Sequence, residues 1–337
     1  MREPLGIHHV SIVGRDPIAT MRFLIDGVGL RLVHRTVRPE DPSAYRLVFG
    51  DRTGAPGTLL EYRFDRDAER TETGGERVAR ITLAVPPGTI ARWRDRIAAR
   101  GARVVERSAE AVGGPIAGPA IEFGDPDGTP MAMVESADGF GGTAWEHPEI
   151  PADIQSRGIA AVALEVSAPE DVAGFLRQGL AAAAWDAAPP VRTGEPPASL
   201  WVRIGATWVE VRRRLGAAAA PGAGSVASVA WRVADGAALT AASEAMTAAG
   251  GEPGGVHDGG GWTTAAATMP GGIAVAVATD GPGFTDRVPE SQLGRSLFLP
   301  PELAERREQI ESGLIPGTGQ FDRVLRVVSE PLPAAGG

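Results

Sequence analysis

The segment GIHHVSIV, residues 6–13, decides the fold because altered versions of it open three later parts of the chain. Its β-branched residues, and the Asp16-Pro17 pair that closes the run, predict a β-strand. Side chains alternate between the two faces of a strand, so only one of the two adjacent histidines is expected to face a pocket. We assign that position to His9, and we expect His8 to pack between the sheet and a helix.

The unit that this strand opens runs strand, helix and three strands, and it occurs four times along the chain. Later copies begin at Arg77, Gly158 and Ser225, each with a run of β-branched and small apolar residues. A near-constant distance from opening strand to closing strand indicates an internal repeat rather than chance similarity. The equivalent positions on the opening and closing strands are Val10 and Glu61, Ile81 and Ala132, Val162 and Glu210, and Val229 and Ala276.

The length of 337 residues favours two domains, and the repeats predict an α+β fold in which four βαβββ units pair into two similar domains. In chain order we predict a first domain over residues 1–140 and a second over residues 156–284, each with two units. Residues 141–155, part of a Gly- and Pro-rich stretch, are interpreted as the linker between them. Residues 285–337 are expected to form a helical C-terminal tail.

The charge and composition of the chain argue against several classes of protein. A net charge of -9 with a pI near 5.2, and no cluster of Lys and Arg, argues against nucleic acid and anionic membrane surfaces as partners. No apolar run approaches the ~20 residues that span a bilayer, and the N-terminus lacks a secretion signal, so we expect a cytoplasmic protein. Because the chain has no cysteine, any metal site has to use His and carboxylate ligands.

Four short motifs carry a resemblance to a known family. They are GIHHV at residues 6–10, DPDG at 125–128, ATDGPGF at 278–284 and LGRSLFLPP at 293–301. Together with the repeat, they resemble the vicinal oxygen chelate superfamily of glyoxalases, bleomycin resistance proteins and extradiol dioxygenases. Within it, they are most similar to the ring-cleaving dioxygenases that open hydroquinones. The resemblance implies that the sheets of paired units curl into a cup that holds a metal.

The resemblance implies an Fe(II) or Mn(II) ion on two His and one Glu, with open positions for substrate and dioxygen. It places the first ligand at His9 in unit one and the other two on the opening and closing strands of unit four. Those two positions hold Ser228 and Ala276, which we interpret as lost metal ligands. One His is too weak a site for a divalent ion, so we expect no metal cofactor unless His257 or Asp258 supplies relocated ligands.

His9 and Glu61 are the candidate catalytic residues. In this fold, neighbouring strands would turn both toward one cup, where burial and proximity are expected to move both pKa values toward neutral pH. Two alternatives stay open: His9 is a remnant of an ancestral metal site, or Glu61 belongs to an exposed, charged strand end. The residues expected to bind substrate beside them are Ser11, Tyr45, Arg46, His257 and Trp262.

Three functions fit these residues. The first is metal-independent acid/base chemistry, such as isomerisation, dehydration or cyclisation, on an aromatic, quinone or polyketide-like metabolite of secondary metabolism. The second is a metal-free protein that binds such a metabolite for sequestration or self-resistance. The third is an extradiol-type dioxygenase with relocated Fe(II) or Mn(II) ligands. The expected partner is this small aromatic or quinone-like molecule, with no nucleic acid and no membrane, and edge strands of this fold allow a homodimer.

Overall fold

The computed structural model describes residues 4–71, 74–107, 115–116, 118–184, 199–214, 216 and 221–329, most of which belong to four βαβββ units. Unit one comprises β1 (Ile7–Gly14), α1 (Pro17–Arg22), β2 (Arg31–Arg38), β3 (Asp41–Gly50) and β4 (Leu59–Phe64). Unit two comprises β5 (Arg77–Val85), α2 (Ile90–Ala99), β6 (Val105–Arg107), β7 (Ala120–Gly124) and β8 (Pro130–Glu135). Unit three comprises β9 (Gly158–Val166), α3 (Pro169–Gly179), β10 (Ala183–Ala184), β11 (Ser199–Ile204) and β12 (Thr207–Arg213). Unit four comprises β13 (Val226–Val233), α4 (Gly236–Ala248), β14 (Glu252–Asp258), β15 (Trp262–Thr268) and β16 (Ala274–Pro282).

The strands form two eight-stranded sheets with the same internal order. In the first sheet the order is β14-β15-β16-β13-β1-β4-β3-β2, which joins unit four to unit one. In the second sheet the order is β10-β11-β12-β9-β5-β8-β7-β6, which joins unit three to unit two. In each sheet the two opening strands pair antiparallel at the centre, and each opening strand pairs parallel with the closing strand of its own unit.

This architecture confirms the predicted α+β class and the pairing of four βαβββ units. The pairs form across the linker, because each sheet joins one unit from residues 1–140 with one unit from residues 156–284. The prediction that units one and two form one pair and units three and four the other is therefore wrong, because residues 141–155 divide the units along the chain and not between the sheets. The pairing of units one and four is the one that places their opening strands side by side.

The first helix begins where the sequence predicts, because Asp16 and Pro17 favour a helix start. The Asp16 carboxylate accepts hydrogen bonds from the backbone N–H groups of Ile18 at 2.9 Å and Ala19 at 3.0 Å, and Pro17 occupies the first turn. The helix then continues as a π-helix over Phe23–Gly27, so the predicted helix is present but its last part is not α-helical.

The C-terminal tail packs on the outer strand of unit one. After a 3₁₀-helix at Pro301–Arg306, the tail forms α5 (Arg307–Gly313) and α6 (Thr318–Ser329), which confirms the predicted helical tail. Gly294 permits the close approach: its φ is +71°, and a Cβ there would lie 2.2 Å from the carbonyl oxygen of Leu32. Neither these helices nor the others in the described part of the chain are long and apolar enough to cross a membrane.

Candidate active site in the first cup

The curved face of the first sheet, here called the first cup, encloses a cavity of about 410 Å³ between units one and four. Both candidate catalytic residues and both positions interpreted as lost metal ligands lie in its wall. The residues that define the site are His9, Arg46, Glu61, Ser228, Trp262 and Ala276.

Glu61 is a fully buried carboxylate with three hydrogen-bond donors. The Ser11 hydroxyl donates to Oε1 at 3.0 Å, Nε of Arg63 donates to the same oxygen at 2.9 Å, and Arg46 donates to Oε2. Burial opposes ionisation, but the two guanidinium groups outweigh it and hold the pKa of Glu61 well below its usual value. Glu61 is therefore a fixed anion rather than a proton donor, and the alternative of an exposed strand end is wrong for this residue.

Both histidines of the opening strand lie on one side of it, because the strand contains a β-bulge. Ile7 pairs with Trp231 and His9 pairs with the next residue, Ala230, which leaves His8 as the extra residue. The rings of His8 and His9 each lie 4.9 Å from the ring of Trp262. The prediction that the two histidines face opposite sides, with His8 between sheet and helix, is therefore wrong.

The hydrogen bonds of His8 fix which nitrogen of His9 carries the proton. Nε2 of His8 lies 3.1 Å from the carbonyl oxygen of Thr279, which can only accept, so this nitrogen donates. The Nδ1 atom of a neutral His8 is then an acceptor, and Nδ1 of His9 at 2.9 Å must donate to it. Nε2 of His9 is left without a proton, and no hydrogen bond from the described residues occupies it.

Electrostatics keep His9 neutral at physiological pH. Burial is the main cause of its lowered pKa, Glu61 opposes the shift, and Arg46 and Arg63 add to it, so the pKa of His9 falls to about 4. The expectation that the pKa values of His9 and Glu61 both move toward neutral pH is therefore wrong. The structure instead places a neutral imidazole, His9, beside a carboxylate, Glu61, that stays ionised.

The predicted substrate-binding residues separate into two groups. Arg46 and Trp262 line the cavity, and His257 lies on the exposed edge strand β14 at its rim. Tyr45 is a correction: its hydroxyl donates to the carbonyl oxygen of Pro316 at 3.0 Å, and its ring packs 5.0 Å from Phe321 of the tail. Because Tyr45 and Arg46 are adjacent on a strand, they face opposite sides, and only Arg46 faces the cup.

Contacts with three other aromatic side chains fix the position of Trp262. Trp262 is buried at the start of β15 and packs edge-on against Phe284 at 5.4 Å, in addition to the two histidines. His257, by contrast, precedes the Gly-rich turn at residues 259–261 and is exposed. The turn joins β14 to β15.

Two site residues were missed from the sequence. Arg63 follows Glu61 by two residues on one strand, so the alternation of side chains could have placed both in the cup. His8 had no such signal, because a bulge reverses the alternation that sequence patterns rely on.

Comparison with known proteins relates this architecture to one superfamily. Residues 6–133 match the family model described as Glyoxalase/Bleomycin resistance protein/Dioxygenase superfamily. The chain is 27% identical over 321 residues to a Bacillus subtilis protein named "Putative ring-cleaving dioxygenase MhqO", covering 94% of this chain and 97% of that protein. A crystal structure titled as a "putative dioxygenase" from B. subtilis has a TM-score of 0.84 at 25% identity, over 94% of this chain and 98% of that chain. Glyoxalase I from Zea mays, with a TM-score of 0.57 at 17% identity over 86% of this chain and 96% of its own, shares the fold alone.

Proposed function

Because residues 6–133 match the glyoxalase, bleomycin resistance protein and dioxygenase superfamily, we propose that the first cup of this chain binds a hydroxylated aromatic or quinone-like metabolite and transfers a proton within it without a metal. The observation that carries the proposal is the chain of hydrogen bonds from His9 through His8 to Thr279, which leaves Nε2 of His9 without a proton on a residue that lines a 410 Å³ cavity next to an arginine-bound carboxylate. A neutral imidazole in that position is a general base.

The donor groups of the first cup do not fit the Fe(II) or Mn(II) ion that relatives of this kind use. Ser228 and Ala276 supply neither an imidazole nor a carboxylate, and Glu61 already accepts three hydrogen bonds. Arg46 and Arg63 also place two positive charges where a cation would bind. Within the described residues, no group of three or more His, Cys, Asp or Glu side chains is arranged to hold a metal, including any with His257 or Asp258.

The proposed reaction is a tautomerisation that needs no oxidant. Nε2 of His9 takes a proton from an sp³ ring carbon next to a ring carbonyl, as in the keto tautomer of a hydroxylated ring, and the electron pair of that C–H bond forms a C=C bond as the carbonyl becomes an enolate. The imidazolium then returns the proton to a different ring position. His9 is thereby restored to its starting state, and the product is an isomer of the substrate. Arg63, whose guanidinium is half-exposed at the cavity, lies where it can stabilise the enolate oxygen.

A second function, binding without turnover, is favoured by one specific observation. A conjugate acid with a pKa of about 4 holds a transferred proton weakly, so His9 in this state accepts a hydrogen bond from a phenolic hydroxyl more readily than it removes a proton from carbon. A metabolite would then be sequestered unchanged in the cup.

Hydrogen exchange separates these functions. The protein is incubated in D2O with hydroxylated quinones and hydroquinones, and deuterium entry at ring carbons is followed by NMR while oxygen consumption is recorded with and without added Fe(II). Proton transfer predicts deuterium entry without oxygen consumption, and its loss in His9→Gln. Binding without exchange would leave only sequestration, and oxygen consumption on adding Fe(II) would overturn the metal-free proposal.

The matched control is His147→Gln, since His147 lies in the linker and bonds to the carbonyl of Ile25, away from the cup. Exchange should proceed in this variant at the rate of the unchanged protein. Equal loss of exchange in both variants would show that the effect comes from a general disturbance and not from His9.

A further inference from the structure

A second cavity, of about 260 Å³, lies between β2 and the tail, and we call it the tail chamber. Its lining includes Phe284, the last residue of the ATDGPGF motif at 278–284, and residues 294 and 296–299 of the LGRSLFLPP motif at 293–301. The residues that give it chemical character are His34, Phe284, Arg287 and Phe298.

His34 is the unusual member of the tail chamber. Its side chain is 8% exposed, its ring stacks on Phe284 at 4.9 Å with an interplanar angle of 23°, and Phe298 lies 5.2 Å away. Nε2 of His34 is completely covered and, within the described residues, has no hydrogen-bond partner. A buried polar atom without a partner destabilises a fold, and a phenylalanine would satisfy the same aromatic stack without that penalty.

The tail chamber and the first cup lie on the same face of the sheet. Ser11 pairs with Glu61, Glu61 with Val48, and Val48 with His34 across four neighbouring strands. Side chains in one such row point to one side. His34 is therefore the outermost residue of the row to which Glu61 belongs.

The glycine turn at residues 259–261 and the packed rings of Trp262 and Phe284 separate the two cavities. Gly259 lines the first cup and Gly260 lines the tail chamber. A Cβ at Gly260 would lie 3.0 Å from Nε2 of His34, and the φ of Gly260 is +86°, so a side chain here would be strained and would crowd the imidazole. One part of the wall between the cavities is thus a turn without side chains, which lies beside the packed rings of Trp262 and Phe284.

We propose that the tail chamber is a second-ring subsite of the first cup, so that the protein takes planar ligands of two fused rings with a hydroxyl or carbonyl on the far ring. The near ring faces His9, the glycine turn shifts, and the far oxygen hydrogen-bonds to Nε2 of His34. Phe284 and Phe298 flank the far ring, and Arg287 lies at the rim, paired loosely with Asp258 at 3.7 Å. This inference rests on the proposed function, since it names the ligand class of the same site.

The imidazole of His34 suits this role because it stays neutral at physiological pH. Burial is the main cause of its lowered pKa, which Arg46 and Arg287 lower further against the effect of Glu61, to about 3. A neutral ring with uncommitted hydrogen-bonding capacity can donate to a carbonyl or accept from a hydroxyl.

The test uses 6-hydroxy-1,4-naphthoquinone, 1,4-naphthoquinone and 1,4-benzoquinone as probes. The chain has no cysteine, so quinones find no thiol to alkylate. Calorimetry on the full chain should give at least tenfold tighter binding of the hydroxylated naphthoquinone than of the unsubstituted one. In His34→Phe this preference should disappear, benzoquinone affinity should be unchanged, and the melting temperature should rise.

A spectroscopic readout keeps the test independent of the variant's folding. The protein has five histidines, so the imidazole ¹⁵N resonances are few enough to assign. The His34 signals should shift with 6-hydroxy-1,4-naphthoquinone and stay in place with benzoquinone. An unchanged preference in His34→Phe, or a His34 signal that ignores the hydroxylated probe, would overturn the subsite.

The two proposals fail differently. Ligand binding with a His34 response but no deuterium exchange would defeat the proposed proton transfer and leave the subsite in place. Deuterium exchange on benzoquinone-sized ligands without a His34 response would do the reverse. The second variant, Gly260→Ala, should weaken the fused-ring probes alone, because its methyl group crowds Nε2 of His34.

Discussion

The two sheets carry the same charged pair in two different settings. On the first sheet, Glu61 on the closing strand of unit one pairs with Arg63 two residues later. On the second sheet, in the corresponding second cup, Glu210 on the closing strand of unit three pairs with Arg212 two residues later. Both carboxylates are buried, so the repeat has kept one ion pair at equivalent points.

The facing units make the difference between the cups. At the position where unit four has Ser228, unit two has Arg80, whose guanidinium bonds Glu210 at 3.1 Å and Glu122 at 2.9 Å. Glu122 in turn occupies the position where unit four has Ala266. In the second cup an arginine thus reaches across from the facing unit and joins two carboxylates.

This comparison indicates that small side chains on unit four, and not the ion pair itself, keep the first cup open to a ligand. Ser228, Ala266 and Ala276 line its 410 Å³ cavity, so no side chain crosses from the facing unit to Glu61. The negative charge of Glu61 is balanced instead by Arg46 and Arg63, which belong to the same unit. The small side chains of unit four therefore leave space in the first cup that Arg80 and Glu122 fill in the second cup.

Transplanting the second cup's residues into the first is the change with the largest expected effect. The double variant Ser228→Arg with Ala266→Glu reproduces the arrangement of Arg80 and Glu122 beside Glu61. We expect the arginine to fill the cavity and ligand binding to fall below detection, because an ion-paired guanidinium occupies the ligand's space. Calorimetric titration with the quinone probes measures this loss.

Its control is Ser228→Thr, which keeps a small hydroxyl side chain at the same place. This variant should bind the probes within a few fold of the unchanged protein, and both variants should show cooperative thermal unfolding. If a folded double variant still binds the probes normally, the first cup is not the ligand site.

The next largest effect is expected from removing the charge of Glu61. Glu61→Gln leaves Arg46 facing a neutral amide in a buried site, which should lower the free energy of unfolding by about 3–5 kcal/mol. Glu210→Gln should cost less, about 1–3 kcal/mol, because Arg80 keeps its bond to Glu122. Denaturant unfolding of both variants gives the comparison, and equal losses would contradict the difference drawn between the cups.

Much of the fold was predictable from the sequence, because a repeated unit with constant spacing fixes element order. The strands Arg77–Val85 and Gly158–Val166 begin at the predicted residues, since their apolar runs start at clear points in the sequence. The pairing of units across the linker is a long-range property that no local pattern contains. It becomes predictable only through the positions of His9 and Ala276, which the family resemblance assigns to one cup.

The sequence predicted the position of the site better than the protonation states of its residues. His9 and Glu61 were found because their strands are neighbours, but their pKa values depend on burial and on arginines from other strands. Tyr45 was wrongly placed although strand alternation excludes it once Arg46 faces the cup. His8 could not be placed, because the bulge that turns it inward is set by the pairing of β1 with β13.

The third prediction concerns acid stability. An unfolded His binds a proton below about pH 6.5, whereas folded His9 does so only below about 4. The folded state therefore binds fewer protons between these values, so stability should fall by up to ~3 kcal/mol as pH drops through this window, and this contribution should be constant below it.

Denaturant unfolding from pH 7 to pH 4 measures this slope. His9→Gln should remove the part of the slope that His9 contributes, because glutamine does not titrate, whereas His8, His34 and His147, whose pKa values are also lowered, keep their parts. The second cup has Ala161 at the position equivalent to His9 and contributes no such slope there, so Ala161→Gly should leave the slope as it is. A slope unchanged by His9→Gln would mean that His9 is not held neutral by the fold.

The smallest expected effect is a change in the pKa of His9. It is compared between variants of the two equivalent arginines, Arg63 and Arg212. Arg63 is one of the charges that lower this pKa, so Arg63→Gln should raise it from about 4 toward its ordinary value. Arg212→Gln removes the corresponding charge from the second cup, and because no histidine faces it there, the pKa of His9 should not move. An NMR titration of the His9 imidazole distinguishes the two. A rise in both variants would mean that the cups are electrostatically coupled, whereas a rise confined to Arg63→Gln means that Arg63 adds to the effect of burial in lowering the pKa of His9.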